Sequence, residues 1–252
     1  MFAQQRHTII LDELAEHGRV TVKELASRLD VADETIRRDL DQLASTDALE
    51  RVHGGAILRH TTHPESDLNT RLATNAETKT RIARKAAAFL PGDGGSIIID
   101  AGSTTAALTP FLPHTELSVL THAPSIAIGL VDEGVQAVHL LPGKVRPTTR
   151  AAVGPATLNA LSSLSPTTAF VGCNGVTPEG FCTADPDEAA VKTALMRRST
   201  RVVMLADSSK FFEQLLVTFS DWELVDVLVT DAALPTALAR IAHKNNVEVV
   251  VA

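Results

Sequence analysis

No apolar run in the 252 residues approaches the roughly 18 needed to cross a bilayer. The first residues, Met1-Phe-Ala-Gln-Gln-Arg-His, lack the basic-then-apolar layout of a secretory signal. The expectation is a cytoplasmic protein with no membrane partner. Cysteine is scarce: Cys173 and Cys182 form no C-x-x-C pair, and the nine histidines fall into no H-E-x-x-H or comparable spacing. That argues against a disulfide framework or a metal site and leaves two free thiols. Also missing are a G-x-x-x-x-G-K-[ST] phosphate loop, a well-placed G-x-G-x-x-G and a G-x-S-x-G elbow. Nucleotide cofactors are disfavoured, and no cofactor is expected. Positive charge is short as well. The formal net charge of −7 speaks against a protein that coats nucleic acid non-specifically. Even residues 1–60 carry eight Lys/Arg against eleven Asp/Glu, so any DNA binding there must come from where particular arginines sit.

What is present begins with short helices. Residues 6–16 hold Ile9, Ile10 and Leu14 at helical spacing and stop at Gly18. Val22, Leu25, Ala26 and Leu29 predict a second helix over 21–29, and Ile36, Leu40 and Leu43 a third. The run from Leu49 to Leu58 alternates around Gly54-Gly55, which predicts a small β-wing. The turn at Asp30-Val31-Ala32 gives helix-turn-helix spacing. With the apolar stripe of the third helix inward, Thr35, Arg37, Arg38 and Asp41 lie outside it. Arg37 and Arg38 splay by about 100°, so one can reach a base edge while the other holds phosphate. Arg51, His53 and Gly54 on the wing suit backbone contact. The same spacing also fits a three-helix protein-interaction module with a solvated arginine pair.

Residues 59–75 are polar, hold Pro64 and read as a linker. Beyond 76 the pattern becomes apolar runs alternating with helical stretches: 96–100, 117–121, 135–141, 168–172, 201–206, 225–230 and 247–251. That alternation predicts an α/β domain with a mostly parallel sheet. The expected division is therefore 1–58, a linker 59–75, and 76–252. Four polar loops each follow a predicted strand: Asp100-Ala-Gly-Ser-Thr-Thr, Gly143-Lys-Val-Arg, Gly172-Cys-Asn-Gly and Asp207-Ser-Ser-Lys. On parallel strands they share the carboxyl edge, where open α/β sheets bind ligands. Gly102 allows close approach of the backbone. Ser103, Thr104 and Thr105 offer hydroxyls and helix-start N–H groups, Asp100 and Asp207 can accept sugar hydroxyls, and Lys144 or Lys210 can neutralise a phosphate.

Val31-Ala-Asp-Glu-Thr-Ile-Arg-Arg-Asp-Leu followed by Arg51-Val-His-Gly-Gly-Ala resembles the DeoR family of bacterial regulators. There the first run opens the recognition helix and the second forms the wing. The chain departs at Ala32, where the family usually has Ser or Thr as helix cap; Asp33 can cap instead if the helix starts one residue later. The resemblance continues through Glu65, Leu68, Arg71 and Lys79 ahead of Ile82-Ala83, and through Asp100-Ala-Gly-Ser-Thr-Thr, similar to D-x-G-T-T. Leu141-Pro-Gly-Lys-Val-Arg146 is similar to L-G-G-x-x-R with Pro142 for glycine, and Phe170-Val-Gly-Cys-Asn-Gly-Val to F-I-G-x-D-G-I with Asn174 for Asp. Glu188-Ala-Ala-Val-Lys192 and Asp207-Ser-Ser-Lys210 match unchanged. The resemblance implies a ribose-5-phosphate-isomerase-like sensor domain with Lys144, Arg146, Gly172, Asn174, Glu188 and Lys192 added to its effector site. It implies double-stranded operator DNA and a sugar phosphate, fructose 1-phosphate or similar, as partners, in a homodimer or homotetramer that represses sugar uptake or catabolism genes. The competing reading is a sugar-phosphate isomerase-like enzyme using Asp100, Glu188, Asp207 and Lys210 as acid–base groups. The N-terminal unit, which an isomerase does not need, separates the two.

Overall fold

A computed structural model of the chain describes residues 2–45, 49–57, 65–92, 94–112 and 116–252. Helix α1 (Ala3–His17) ends where Gly18 turns left-handed and its N–H returns to Leu14 O. A short strand β1 (Arg19–Thr21) leads into α2 (Val22–Leu29), whose first turn is capped by Thr21 Oγ1 on the Glu24 N–H. After the left-handed turn at Asp30, α3 runs over Asp33–Ser45. It starts at Asp33, so Ala32 keeps the cap position and Asp33 does not take it over. The Ala32 carbonyl receives the Thr35 and Ile36 N–H groups, and Asp33 and Glu34 bring acid to the positive helix end. Strands β2 (Glu50–Val52) and β3 (Gly55–Ile57) form the wing hairpin. Gly54 at its tip has φ 78°, and a Cβ on Gly55 would stand 2.0 Å from Val20 O, so neither position tolerates a side chain. β1 pairs with β3 as a third strand. At three residues, with only Val20 buried, it leaves too short an alternation to read from sequence.

Ile10, Leu14, Leu25, Ile36, Leu40 and Leu43 close a separate core under the wing. One charged group of α3 also turns inward. Asp39 accepts Arg6 Nε at 2.6 Å and Nη2 at 3.0 Å and lies 3.1 Å from His7 Nε2, which fastens α1 to α3. Burial works against its charge, but Arg6 and His7 hold the carboxyl below the usual carboxylate value.

The remainder starts with α4 (Leu68–Ala73) and α5 (Ala76–Ala86). Then come β4 (Ser96–Ile99), α6 (Ser103–Ala106), β5 (Ser118–Thr121), α7 (Pro124–Asp132), β6 (Ala137–Leu140) and the pair β7 (Lys144–Val145) and β8 (Ala152–Val153). Next are α8 (Pro155–Ser162), β9 (Thr168–Gly172), β10 (Gly175–Thr177), β11 (Gly180–Thr183), α9 (Pro186–Arg198) and β12 (Arg201–Leu205). β13 (Val217–Ser220), β14 (Val227–Thr230), α10 (Thr236–Lys244) and β15 (Glu248–Val251) complete it. All seven strands expected for the sheet form it, in the order β15-β14-β12-β9-β4-β5-β6 and parallel throughout. Ile97, Ile98 and Ile99 of β4 are fully buried, as expected of a strand covered on both faces. Strand order reverses between β4 and β9, which opens a crevice beyond their carboxyl ends.

Residues 65–75, expected to belong to a linker, are folded onto this domain. Asp67 caps α4 on the Thr70 N–H, and the Leu68 N–H reaches Thr148 O. The apolar content is too low to reveal a six-residue helix: Leu68 alone is buried. The rest of that expected linker, 59–64, lies outside the described residues. No helix among the described residues is long and apolar enough to cross a membrane.

Candidate functional site

Two surfaces carry the residues singled out in the sequence. On α3, Arg38 is 81 % exposed and Arg37 53 %. Among the described residues both meet Glu34 alone, and at long range, Arg37 Nη1 at 3.5 Å and Arg38 Nε at 3.9 Å. Such solvated pairs are weak, so both guanidiniums can reach an outside partner. Thr35 is half-buried beside them. The wing differs from expectation. Arg51 donates to Asp41 Oδ1 (2.9 Å) and to Gly55 O (2.6 Å), so it braces the hairpin on α3 instead of standing free for phosphate. His53 and Gly54 are exposed at the tip, and the Gly54 carbonyl receives the Val22 N–H.

The second surface is a cleft of about 270 Å³ at the crevice between β4 and β9. Nine of the expected effector residues line it: Gly102, Ser103, Thr104, Gly172, Asn174, Glu188, Lys192, Asp207 and Lys210. Three of the four loops expected at the carboxyl edge thus meet, those at Gly102, Gly172 and Asp207. Four residues do not fit their expected roles. Asp100 is fully buried beneath the floor, where it takes the Gly172 N–H (2.9 Å) and the Lys192 ammonium and lies 3.0 Å from His122 Nε2. Burial opposes its ionisation, yet Lys192 and His122 hold the carboxyl below its ordinary value. With its oxygens engaged it anchors the Gly172 loop and Lys192; it does not receive a sugar hydroxyl. Thr105 is likewise buried, its hydroxyl bonded to Asp100 O and Gly102 O. The helix expected after this loop, α6, is a single turn of four residues, so the loop offers hydroxyls and backbone more than a helix end. Lys144 sits exposed on β7, away from the cleft, because Pro142-Gly143 turns the chain into the β7–β8 hairpin. Arg146 lies behind the wall. It donates to Glu188 Oε1 (2.6 Å) and Glu65 Oε2 (3.0 Å), with Asp185 3.2 Å from its Nε. Thr149 also donates to Glu188.

Glu65, Ser66, Arg71, Thr74, Asn75 and Lys79 form a wall that the sequence placed in or beside a linker. Lys79 carries the signal that could have found them: it is a buried lysine on the inner face of α5. Its ammonium donates to Arg71 O and to Thr74 O, the latter at 2.7 Å. Burial pushes its pKa down; Asp207 opposes this, while Lys210 and Arg71 push further the same way. Three cations therefore gather at one end of the cleft, beside Asp207, which is itself bonded to Ser209, and Glu65, whose Oε1 lies 3.6 Å from Arg71 Nη1. Asn174 accepts from Thr183 Oγ1 at 3.0 Å. Cys173, beside it, is a free thiol whose pKa burial pushes up to about 12. Among the described residues no cluster of three or more His, Cys, Asp or Glu could hold a metal ion.

Residues 6–62 match the family model of the DeoR-like helix-turn-helix domain, and residues 74–232 that of the DeoR C terminal sensor domain. The chain is 31% identical to the HTH-type transcriptional repressor GlcR of Bacillus subtilis (strain 168), over 100% of this chain and 97% of that protein. It is 32% identical to the glycerol-3-phosphate regulon repressor of Escherichia coli (strain K12), over 97% of each. A solved ribose 5-phosphate isomerase A from Methanocaldococcus jannaschii shares 16% identity at a TM-score of 0.41, over 55% of each chain.

Proposed function

The chain belongs to the DeoR family of transcriptional regulators, and on that premise we propose that it represses sugar-uptake or sugar-catabolism genes until a phosphorylated sugar binds the cleft. The family is one of regulators, not enzymes, which sets aside the isomerase alternative. The single observation that carries the effector reading is the cation-rich end of the cleft. Lys79, Arg71 and Lys210 line the cleft together with Ser103 and Thr104, while Glu188, whose Oε1 takes Arg146 and Thr149, and Asn174, which accepts from Thr183, complete its lining. A phosphate monoester carries close to two negative charges and several acceptor oxygens, which suits that end. On the other surface, Arg37, Arg38 and Thr35 of α3 meet operator bases and phosphates, and the wing tip at His53 and Gly54 follows the backbone.

The functional unit is a cytoplasmic homodimer or homotetramer, with the N-terminal unit bounded near residue 58 and the sensor running from the Glu65 segment. Two heads on one assembly read two half-sites. A thermal-shift screen of sugar phosphates on the full chain tests the effector reading, since a ligand of the folded state raises its apparent stability. Fructose 1-phosphate and related ketose phosphates are the first compounds to try. A rise in Tm that grows with ligand concentration and disappears in Lys210→Gln is expected. No shift with any sugar phosphate or with inorganic phosphate contradicts the reading.

A further inference from the structure

The outward face of α3 carries more than its arginines. Glu34, Arg38 and Gln42 are all exposed and follow one another at intervals of four residues. In an α-helix that interval advances about 6 Å and turns about 40°. The advance is close to two base-pair steps of about 3.4 Å each. The three side chains therefore form one stripe with Arg38 at its centre. Neighbours on the same helix are otherwise placed: Asp41 accepts from Arg51 Nε at 2.9 Å, and Thr35 is half-buried. Glu34 is 64 % exposed, and its carboxylate meets Arg37 Nη1 at 3.5 Å and Arg38 Nε at 3.9 Å. Pairs so long and so well solvated are weak and leave the carboxylate available to another donor. The Gln42 side-chain amide makes no hydrogen bond among the described residues; Ser45 Oγ donates to its main-chain carbonyl at 2.7 Å.

A carboxylate on a face presented to DNA is repelled by the phosphates and needs a donor to offset that repulsion. The major groove offers few. Guanine shows N7 and O6 and thymine shows O4, all acceptors that repel a carboxylate; adenine sets its N6 donor beside the N7 acceptor; cytosine presents its N4 donor alone. A primary amide is the reverse case, because its donor and acceptor together fit adenine N7 and N6. We infer that Glu34 and Gln42 are specificity-determining residues of the operator contact: Glu34 accepts from cytosine N4, and Gln42 pairs with adenine N6 and N7, on either side of the base read by Arg38. The inference rests on α3 as the element that reads DNA, and it adds which bases α3 selects. The half-site it describes has a C·G pair and an A·T pair flanking a central pair at about two steps each. Glu34 also lowers the positive charge of the reading face, which weakens contact with random DNA and so widens discrimination.

The test uses the full chain. Duplexes selected from a random pool by wild type, Glu34→Gln, Gln42→Ala and Arg38→Ala are sequenced, and affinities for the wild-type site and its single-base variants are measured by fluorescence anisotropy at one salt concentration. Wild type should prefer cytosine and adenine at the two flanking positions by about tenfold or more. Glu34→Gln should move the first position from cytosine to adenine, since an amide now stands there, and should bind random DNA more tightly than wild type. Gln42→Ala should cut the second preference to about twofold or less and leave the first intact. A merely structural role for either side chain would change the affinity for all sites alike and leave the preferences in place. If Arg38→Ala loses operator binding or its base preference while Glu34→Gln and Gln42→Ala still select the wild-type sequence, the inference is overturned and α3 remains the reading element. If Arg38→Ala also selects the wild-type sequence, or wild type enriches none, the reading of α3 falls with it.

Discussion

Arg38 is 81 % exposed on α3, and its one ionic neighbour among the described residues is Glu34 at 3.9 Å. Arg38→Ala should therefore weaken operator binding by about 1–3 kcal/mol with the fold intact. Arg51 is a different case, since its guanidinium ties the wing to α3 through Asp41 and Gly55 O. Arg51→Ala should loosen the wing and weaken specific and random DNA alike. Equal operator affinity for wild type and an Arg37→Ala/Arg38→Ala double variant of native circular dichroism would remove α3 as the reading element. Asp39 belongs to the same run of residues but faces inward, where Arg6 and His7 hold its carboxyl below the ordinary value of about 4. A carboxyl whose folded pKa is depressed stabilises the fold fully above its unfolded pKa, and that stability is lost as pH falls through the folded value. Asp39→Asn should lower the Tm of the N-terminal unit near neutral pH and flatten its decline below about pH 4. A parallel decline in wild type and variant contradicts the assigned role.

At the scale of elements, the segment holding α4 decides what the sensor needs. A fragment of residues 65–252 should keep the phosphate-dependent rise in Tm, whereas 76–252 should fold but lose most of it, because Glu65 and Arg71 are gone. Equal shifts in both fragments would make α4 a mere connector. The contrast between α4 and the sheet explains what the sequence discloses. The seven parallel strands announce themselves as runs such as Ser96–Ile99 and Arg201–Leu205, apolar because both faces are covered. The helix-turn-helix is legible because Ile36, Leu40 and Leu43 mark one face of α3. The small sheet β10-β11-β13 and the β7–β8 hairpin are not legible. Their strands have two to four residues, β10 and β11 begin at glycine, and β11 meets β13 across a long stretch of chain, from Phe181 to Ser220. The three sheet-edge loops of the cleft could be read from strand order. The wall at Glu65–Asn75 could not, since it depends on α4 docking through polar contacts such as Leu68 N–H to Thr148 O. The role of Asp100 is hidden for a related reason: its partners Lys192, Gly172 and His122 are distant in sequence, so nothing local shows that its oxygens are engaged.

At the scale of the whole molecule, the net charge of −7 argues against a broad basic field, and the proposed reading rests DNA affinity on a few placed arginines. Such binding is modest for one head, and an assembly with two heads gains by avidity. Release then requires only that the effector favour an arrangement in which both heads cannot engage together. Coupling of about 1–3 kcal/mol between the two sites is enough for a roughly 5- to 150-fold change in affinity. The most direct test is a DNA-binding titration, by fluorescence anisotropy, on operator DNA enriched from a random pool with the wild-type protein. It compares wild type and Lys210→Ala with and without a sugar phosphate that stabilises the wild type. The account predicts that the ligand releases wild type from operator, while Lys210→Ala binds the same DNA near normally and stays bound at that ligand concentration. Release of Lys210→Ala at the same concentration as wild type would contradict it.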